Sequence, residues 1–294
     1  MVDFASYVLD LERSRPRAPG GGRRGPENLV VLASTVSTNT VARGMEADYE
    51  SEGLDLSGTL VLALEQTGGR GRQGRSWASP RGRGVYATLA RPCEGPDLLP
   101  ALPLLVGVGL CRALAPHLPH GCRLKWPNDL VVPGGASPAA PAGSAAGSGS
   151  GRKIGGILIE ARVHPEGGCV ALIGFGVNHG HQRDELPEGA TSLWLESAGA
   201  AGGAGGAMPG LAELTWELVA GVEAELAHLD DLPYAAAAYR ELSIHRPGDP
   251  LLWRAGEREI AGTFAGFDDM GRLHLRQAGG GENLVLSAGE VIES

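Results

Sequence analysis

Short apolar runs, each of strand length and bounded by turn residues, recur along the first two thirds of the chain. Leu29-Val30-Val31-Leu32, Thr59 to Leu64, Val85 to Leu89, Ile154 to Ile159 and Val170 to Ile173 each predict a buried strand. Two longer patterns have a different period. Leu98 to Ala115 predicts an apolar helix carrying Pro100 and Pro103 in its first turns. Leu211, Leu214, Leu218, Val222 and Leu226 recur at helical spacing and predict an amphipathic helix over 211–229. Strand and helix signals alternate across 28–243, which predicts core helices packed on a sheet. From Arg246 onward the pattern shortens, with alternating runs such as Glu257 to Phe264 and turns such as Asp268-Asp269-Met270-Gly271. That predicts a small β-barrel over 244–294. The fold class is therefore α+β: a mixed sheet with packed helices, followed by a small C-terminal barrel.

Composition changes this picture at three places. Residues 133–151 and 198–206 are nearly pure Ala, Gly, Ser and Pro, too poor in large apolar groups to pack, and read as insertions. Residues 1–27, with Arg13-Ser14-Arg15-Pro16-Arg17 and a glycine run, read as a flexible basic tail. The chain has 294 residues, 43% hydrophobic, and a formal net charge of -9, which speaks against nucleic acid as a partner. No run of 18 apolar residues and no basic-then-apolar leader is visible, so no membrane partner and a cytoplasmic location are expected. Cys93, Cys111, Cys122 and Cys169 form no Cys-x-x-Cys pair and read as reduced thiols in apolar sites. His179 and His181 flank a glycine without a third ligand at sensible spacing, and read as loop residues.

Four segments carry candidate chemistry. Gln66 to Trp77 follows a strand and holds four glycines and three arginines, with Arg81 and Arg83 close behind. It matches the dinucleotide and P-loop patterns only superficially, since a turn and a strand follow where both need a helix. Five guanidinium groups so close together call for an anion among them, which points to a loop that closes over a phosphate or carboxylate. Lys125-Trp126-Pro127-Asn128-Asp129 holds an amide suited to a base edge and a carboxylate suited to Mg²⁺. Arg152-Lys153-Ile154-Gly155-Gly156 opens a strand with a lysine and two glycines, a sign of close approach by a ligand. Gly174-Phe175-Gly176-Val177-Asn178 ends another strand.

Together these segments resemble the biotin–protein ligases over about 30–292. Ser37-Thr38-Asn39, opening a helix after a strand, matches that family's first biotin-contacting segment. The resemblance implies a class II synthetase-like catalytic region with a Src-homology-3-like C-terminal barrel. It implies that Ser37, Thr38, Asn39, Gln66, Gly69 and Gly156 bind biotin, with Arg70, Gly71 and Arg72 closing over its tail and the adenylate. Lys153 would meet the biotin carboxylate and the α-phosphate, so that Lys153, Arg70 and Arg72 carry the catalysis. Arg75, Trp77, Asn128, Asp129 and Asn178 would serve the nucleotide, Trp126 would support them, and Asp129 would hold Mg²⁺. ATP with Mg²⁺ is the implied co-substrate, biotin the substrate, and a biotin carboxyl carrier domain of a carboxylase the partner. No tightly bound cofactor is implied, and a monomer or homodimer is expected. A lipoate or octanoate ligase of the same fold is the alternative. A repressor role would need an N-terminal winged helix, for which 1–27 leave no room. The 133–151 tract is the main departure from the family pattern.

Overall fold

The computed structural model describes residues 2–17, 24–93, 98–134, 151–163, 169–199, 208–277 and 283–292. Most of the two low-complexity tracts, 135–150 and 200–206, lies outside them. Seven strands make the main sheet: β1 (Asn28–Leu32), β2 (Thr59–Ala63), β3 (Gly84–Cys93), β4 (Arg123–Lys125), β5 (Asp129–Pro133), β6 (Gly151–Val163) and β7 (Cys169–Asn178). Their order is β1-β2-β3-β7-β6-β5-β4. β1 and β2 run parallel and the other neighbours antiparallel, so the sheet is mixed. β3 and β7 pair from Gly84↔Asn178 to Cys93↔Cys169 and form its spine. The β5–β6 ladder ends at Pro133↔Gly151.

Side chains alternate between two faces, as strand geometry requires. Leu60, Leu62, Leu64, Val85, Ala87 and Leu89 join a core with α3 (Ala101–Leu114) and α5 (Leu211–Leu226). α6 (Leu232–Leu242) packs on α3 beside them. Val61, Ala90 and Leu172 point the other way and pack against Ala42 of α2 (Thr38–Ser51). The candidate site lies on this second face, under the start of α2.

The N-terminal segment departs from the expected flexible tail. Residues Phe4–Ser14 form α1, which buries Tyr7 and Leu11 against α5, and Trp216 Nε1 donates to Leu11 O at 2.8 Å. The arginines and glycines of 13–26 dominate the composition there, whereas Tyr7 and Leu11, four residues apart, carry the helical signal. The four cysteines are buried free thiols. No helix among the described residues is long and apolar enough to cross a membrane.

The C-terminal region is β8 (Pro250–Ala255), β9 (Arg258–Phe267), β10 (Leu273–Gln277), β11 (Asn283–Leu286) and β12 (Glu290–Ile292). They form an antiparallel sheet in the order β11-β10-β9-β8-β12. The expected barrel is not closed: β11 and β12 share no ladder among the described residues. Trp253, Phe264, Phe267 and Leu273 extend the main core, with the Phe267 ring edge-on to Tyr239 of α6 at 5.3 Å.

Candidate active site

The floor of the site is made by what two strands lack. Gly156 of β6 and Gly176 of β7 are direct register partners, and Trp77 lies on both. A methyl group on Gly176 would sit 2.6 Å from Trp77 Nε1, and one on Gly156 would sit 3.4 Å from Cζ3. The neighbouring pair, Leu158↔Gly174, is covered in the same way by Asn39, which donates to Leu158 O at 3.2 Å and to Glu160 Oε2 at 2.9 Å. A side chain on Gly174 would strike Asn39. Glycine is needed here for close approach.

One wall is the start of α2. Ser37 stands at its N-cap position, and the Thr38 N–H donates to Gln66 Oε1 at 2.8 Å. Gln66 Nε2 donates to Ser79 Oγ at 2.9 Å. Thr88 Oγ1 donates to Asn39 Oδ1 at 2.6 Å and lies 2.9 Å from Thr38 Oγ1. Thr38, Asn39 and Gln66 thus meet through Thr88 and Ser79 in one connected, largely buried network, which fixes their orientations, with Ser37 buried beside them.

The arginine loop is a narrow hairpin. Trp77 N donates to Gly69 O and Gly71 N to Arg75 O, both at 2.8 Å, around a 3-10 turn over Arg72–Gly74. Gln73 at the tip has φ 56, a left-handed conformation uncommon for a residue with a side chain. The anions among the guanidiniums prove to be the chain's own carboxylates. Arg70 bonds Thr40 Oγ1 at 3.0 Å and lies 4.0 Å from Glu160, and Arg75 spreads both terminal nitrogens over Glu290. Arg81 lies 3.9 Å from Glu65, and Arg83 lies 3.2 Å from Glu185. Arg72 alone of the five has no carboxylate within ion-pair distance among the described residues. Burial lowers its pKa, against an opposing pull from Asp129.

Opposite the loop stands Lys153, whose Nζ is 2.7 Å from Asp129 Oδ1 and 5.4 Å from the centroid of the Trp77 ring. Its backbone is held independently: Lys153 N donates to Gly189 O and Thr191 N to Lys153 O, both at 2.8 Å. Next door, Arg152 grips the buried Glu196 of α4 (Leu193–Gly199) at 3.0 and 2.8 Å. The Trp126–Asp129 turn is tied on both sides. Asn128 Nδ2 donates to Ile157 O at 2.7 Å, and Trp126 Nε1 donates to Gly271 O of the C-terminal region at 3.0 Å.

These groups line one cleft of about 1010 Å³, open mouth included, to which Gly289, Glu290 and Val291 also contribute. Ser37, Thr38 and Asn39 reach it from the start of α2, Gln66 from the segment after β2, and Arg70, Gly71, Arg72, Arg75 and Trp77 from the loop. Asn128, Asp129, Lys153 and Gly156 complete it. Two expected members lie elsewhere. The Asn178 side chain is buried and donates to Thr191 O at 2.9 Å, and Gly69 forms the base of the hairpin. His179 and His181 lie in a turn but are buried, and among the described residues no three potential metal ligands cluster. Asp129 offers a single carboxylate, a donor set that suits magnesium arriving on substrate phosphates. Glu160 and Glu290 escaped the sequence reading. Nothing local marks either residue as a partner of the loop arginines.

Comparison with known proteins bears on this arrangement. The profile of the biotin/lipoate A/B protein ligase family matches residues 31–178. The chain is 30% identical over 290 residues to a biotin–[acetyl-CoA-carboxylase] ligase of Mycobacterium tuberculosis, covering 97% of this chain and 95% of that one. It is 32% identical over 268 residues to a protein of the same name from Paracoccus denitrificans, covering 89% and 98%. Its fold matches a biotin protein ligase from Aquifex aeolicus, solved with biotin and ATP, at a TM-score of 0.66 and 21% identity, covering 91% and 100%. With the profile covering half the chain and two relatives matched almost end to end, the chain belongs to the biotin/lipoate A/B protein ligase family.

Proposed function

We propose that this protein is a biotin–protein ligase that activates biotin with MgATP and transfers it to a lysine of a biotin carboxyl carrier domain. One observation carries the reading: Lys153, held by Asp129 and Trp77 over the Gly156–Gly176 floor, faces a loop whose Arg72 has no carboxylate partner among the described residues. That is a cleft for two anions that must be brought together. The names of the relatives supply the acid and the acceptor.

In the first step a biotin carboxylate oxygen attacks the α-phosphorus of MgATP, the bond to the bridging oxygen breaks, and pyrophosphate leaves. No side-chain nucleophile is required. The chain contributes orientation and charge: the Thr38, Asn39 and Gln66 network for the biotin rings, Arg70, Gly71 and Arg72 for the tail and phosphates, and Lys153 for the reacting oxygens. Lys153 leaves Asp129 to do so, which frees that carboxylate to hold the magnesium of the substrate complex. In the second step the carrier lysine's uncharged amine attacks the acyl carbon of biotinyl-5′-adenylate. AMP leaves, and the new amide loses a proton to solvent. The closed loop keeps water from the anhydride. Residues 28–243 form the catalytic unit and 244–294 its C-terminal partner in this reading, and the cytoplasm is where carrier and ligase would meet.

The test is incubation with MgATP and biotin, lipoate or octanoate in competition, followed by mass spectrometry. Biotinyl-adenylate in the biotin arm, and biotin on an added carrier domain, are expected. Preferential formation of a lipoyl- or octanoyl-adenylate would overturn the reading.

A further inference from the structure

Arg75 is exposed on the returning arm of the arginine loop, just after its turn, on the rim of the cleft, where a nucleotide phosphate is the partner expected from the sequence. It is engaged elsewhere. Both its terminal nitrogens reach the Glu290 carboxylate, one at 2.6 Å, across 215 residues of sequence, at the first residue of β12. The fork-to-carboxylate geometry is the one in which arginine binds with most directional specificity. The hydrogen bond from Arg75 holds the Glu290 carboxyl below its usual range, helped by Lys125 and Arg254, and the same bond raises the Arg75 guanidinium.

The backbone makes the pair consequential. Gly71 N donates to Arg75 O at 2.8 Å and Arg75 N to Arg72 O at 3.2 Å, so the residue pinned to Glu290 closes the turn that carries Arg72. Arg72 is the arginine left without a carboxylate. The same C-terminal region ties the other side of the cleft, where Trp126 Nε1 donates to Gly271 O at 3.0 Å.

We infer that Arg75 and Glu290 are a positioning pair. The ion pair to the C-terminal sheet holds the loop hairpin so that Arg72 presents its charge to the cleft, and Arg75 is not itself a nucleotide ligand. Only the kinetic arm of the test rests on the ligase reading.

The test compares Arg75→Gln, Glu290→Gln and the double variant with the wild-type chain. Without substrates, hydrogen exchange over 70–76 should rise to a similar level in all three variants. In biotin-dependent pyrophosphate release, each single variant should lose about three- to tenfold in kcat, a range suited to one partly exposed charged pair. The double variant should be no worse than the worse single one. If Arg75 binds the nucleotide, Glu290→Gln frees it and leaves the KM for ATP unchanged or lower, while Arg75→Gln raises that KM and the two effects add; this result overturns the inference. Unchanged exchange in Glu290→Gln overturns it as well. If the wild-type chain releases no pyrophosphate with biotin and ATP, the ligase reading fails, and the exchange data still decide the pair.

Discussion

Lys153 Nζ stands 2.7 Å from Asp129 Oδ1, so the cation that should serve the reacting oxygens is stored on a carboxylate of its own cleft. This resting partner limits how much the lysine gains on meeting a substrate. It also keeps its ammonium at the cleft floor, over the Trp77 ring.

Lys153→Ala is expected to slow biotin-dependent pyrophosphate release about 10²–10³-fold, the range for losing one well-placed charge donor. Lys153→Arg should restore little, because a planar fork does not reproduce a compact ammonium. Transfer from pre-made biotinyl-adenylate should suffer less, since the anhydride keeps one charge on its phosphate where the first step must bring together two, the carboxylate and the α-phosphate. Near-normal pyrophosphate release by Lys153→Ala would remove this residue from the reaction.

Gly176→Ala places a methyl group 2.6 Å from Trp77 Nε1, with the ring resting on the sheet backbone. The ring must lift, and the hairpin base at Gly69 and Trp77 must lift with it. Overpacking of this kind costs roughly 1–3 kcal/mol in stability. Steady-state kinetics and thermal melting together should show a fall in kcat well beyond what the melting shift explains. A fully active Gly176→Ala would mean that Trp77 does not shape the site.

Leu11→Ala tests whether α1 belongs to the core. Leu11 is fully buried against α5, and truncations of this kind cost about 2–5 kcal/mol. The midpoint of urea unfolding should fall accordingly, where a change in a free tail would leave it in place.

Stability should also decline in mild acid. Burial, the largest influence on each, lowers the pKa of His181 and of His245 to about 4. Around His181, Glu185 opposes this shift and Arg83 and His179 add to it; around His245, Lys125 and Arg246 add to it and Asp249 opposes it. Both rings are neutral in the fold, whereas in the unfolded chain they take up a proton near pH 6.5. Each therefore contributes stability that is complete above about pH 6.5 and is lost as the pH falls toward 4, by roughly 1.4 kcal/mol per pH unit. Urea midpoints at pH 7.5 and pH 5 should differ, and His245→Gln should reduce the slope. Equal midpoints would contradict this account.

Local chemistry explains what was legible in the sequence. The strand runs, the α3 and α5 patterns and the Trp126–Asp129 turn are set by nearest neighbours, and they stand where their spacing placed them. The cleft residues Arg70, Asp129 and Lys153 were visible because each lies in a short, unusual cluster, whereas Ser37 to Asn39 were reached only through the family resemblance. Asn178 is a different case, since its position at a strand end says nothing of Thr191, which captures its amide. The partners of the arginines were invisible for a related reason. Glu160, Glu185 and Glu290 come from β6, a 3-10 turn and β12, and only the tertiary fold brings them to the arginines. For α1, a helical signal two residues strong was outweighed by the basic, glycine-rich stretch behind it.

The β5–β6 ladder ends at Pro133↔Gly151, only two residues before Lys153. Such closeness would ordinarily make the intervening tract a risk to the chemistry. Here Lys153 takes its backbone bonds from Gly189 and Thr191, and Arg152 is anchored to α4 through Glu196. The lysine is therefore held from two sides, by its register with Val131 in the ladder and by the 189–191 segment. A reporter or surface-attachment handle inserted between Pro133 and Gly151 should therefore leave turnover within a few-fold, because the second side of that support does not depend on the length of the connection.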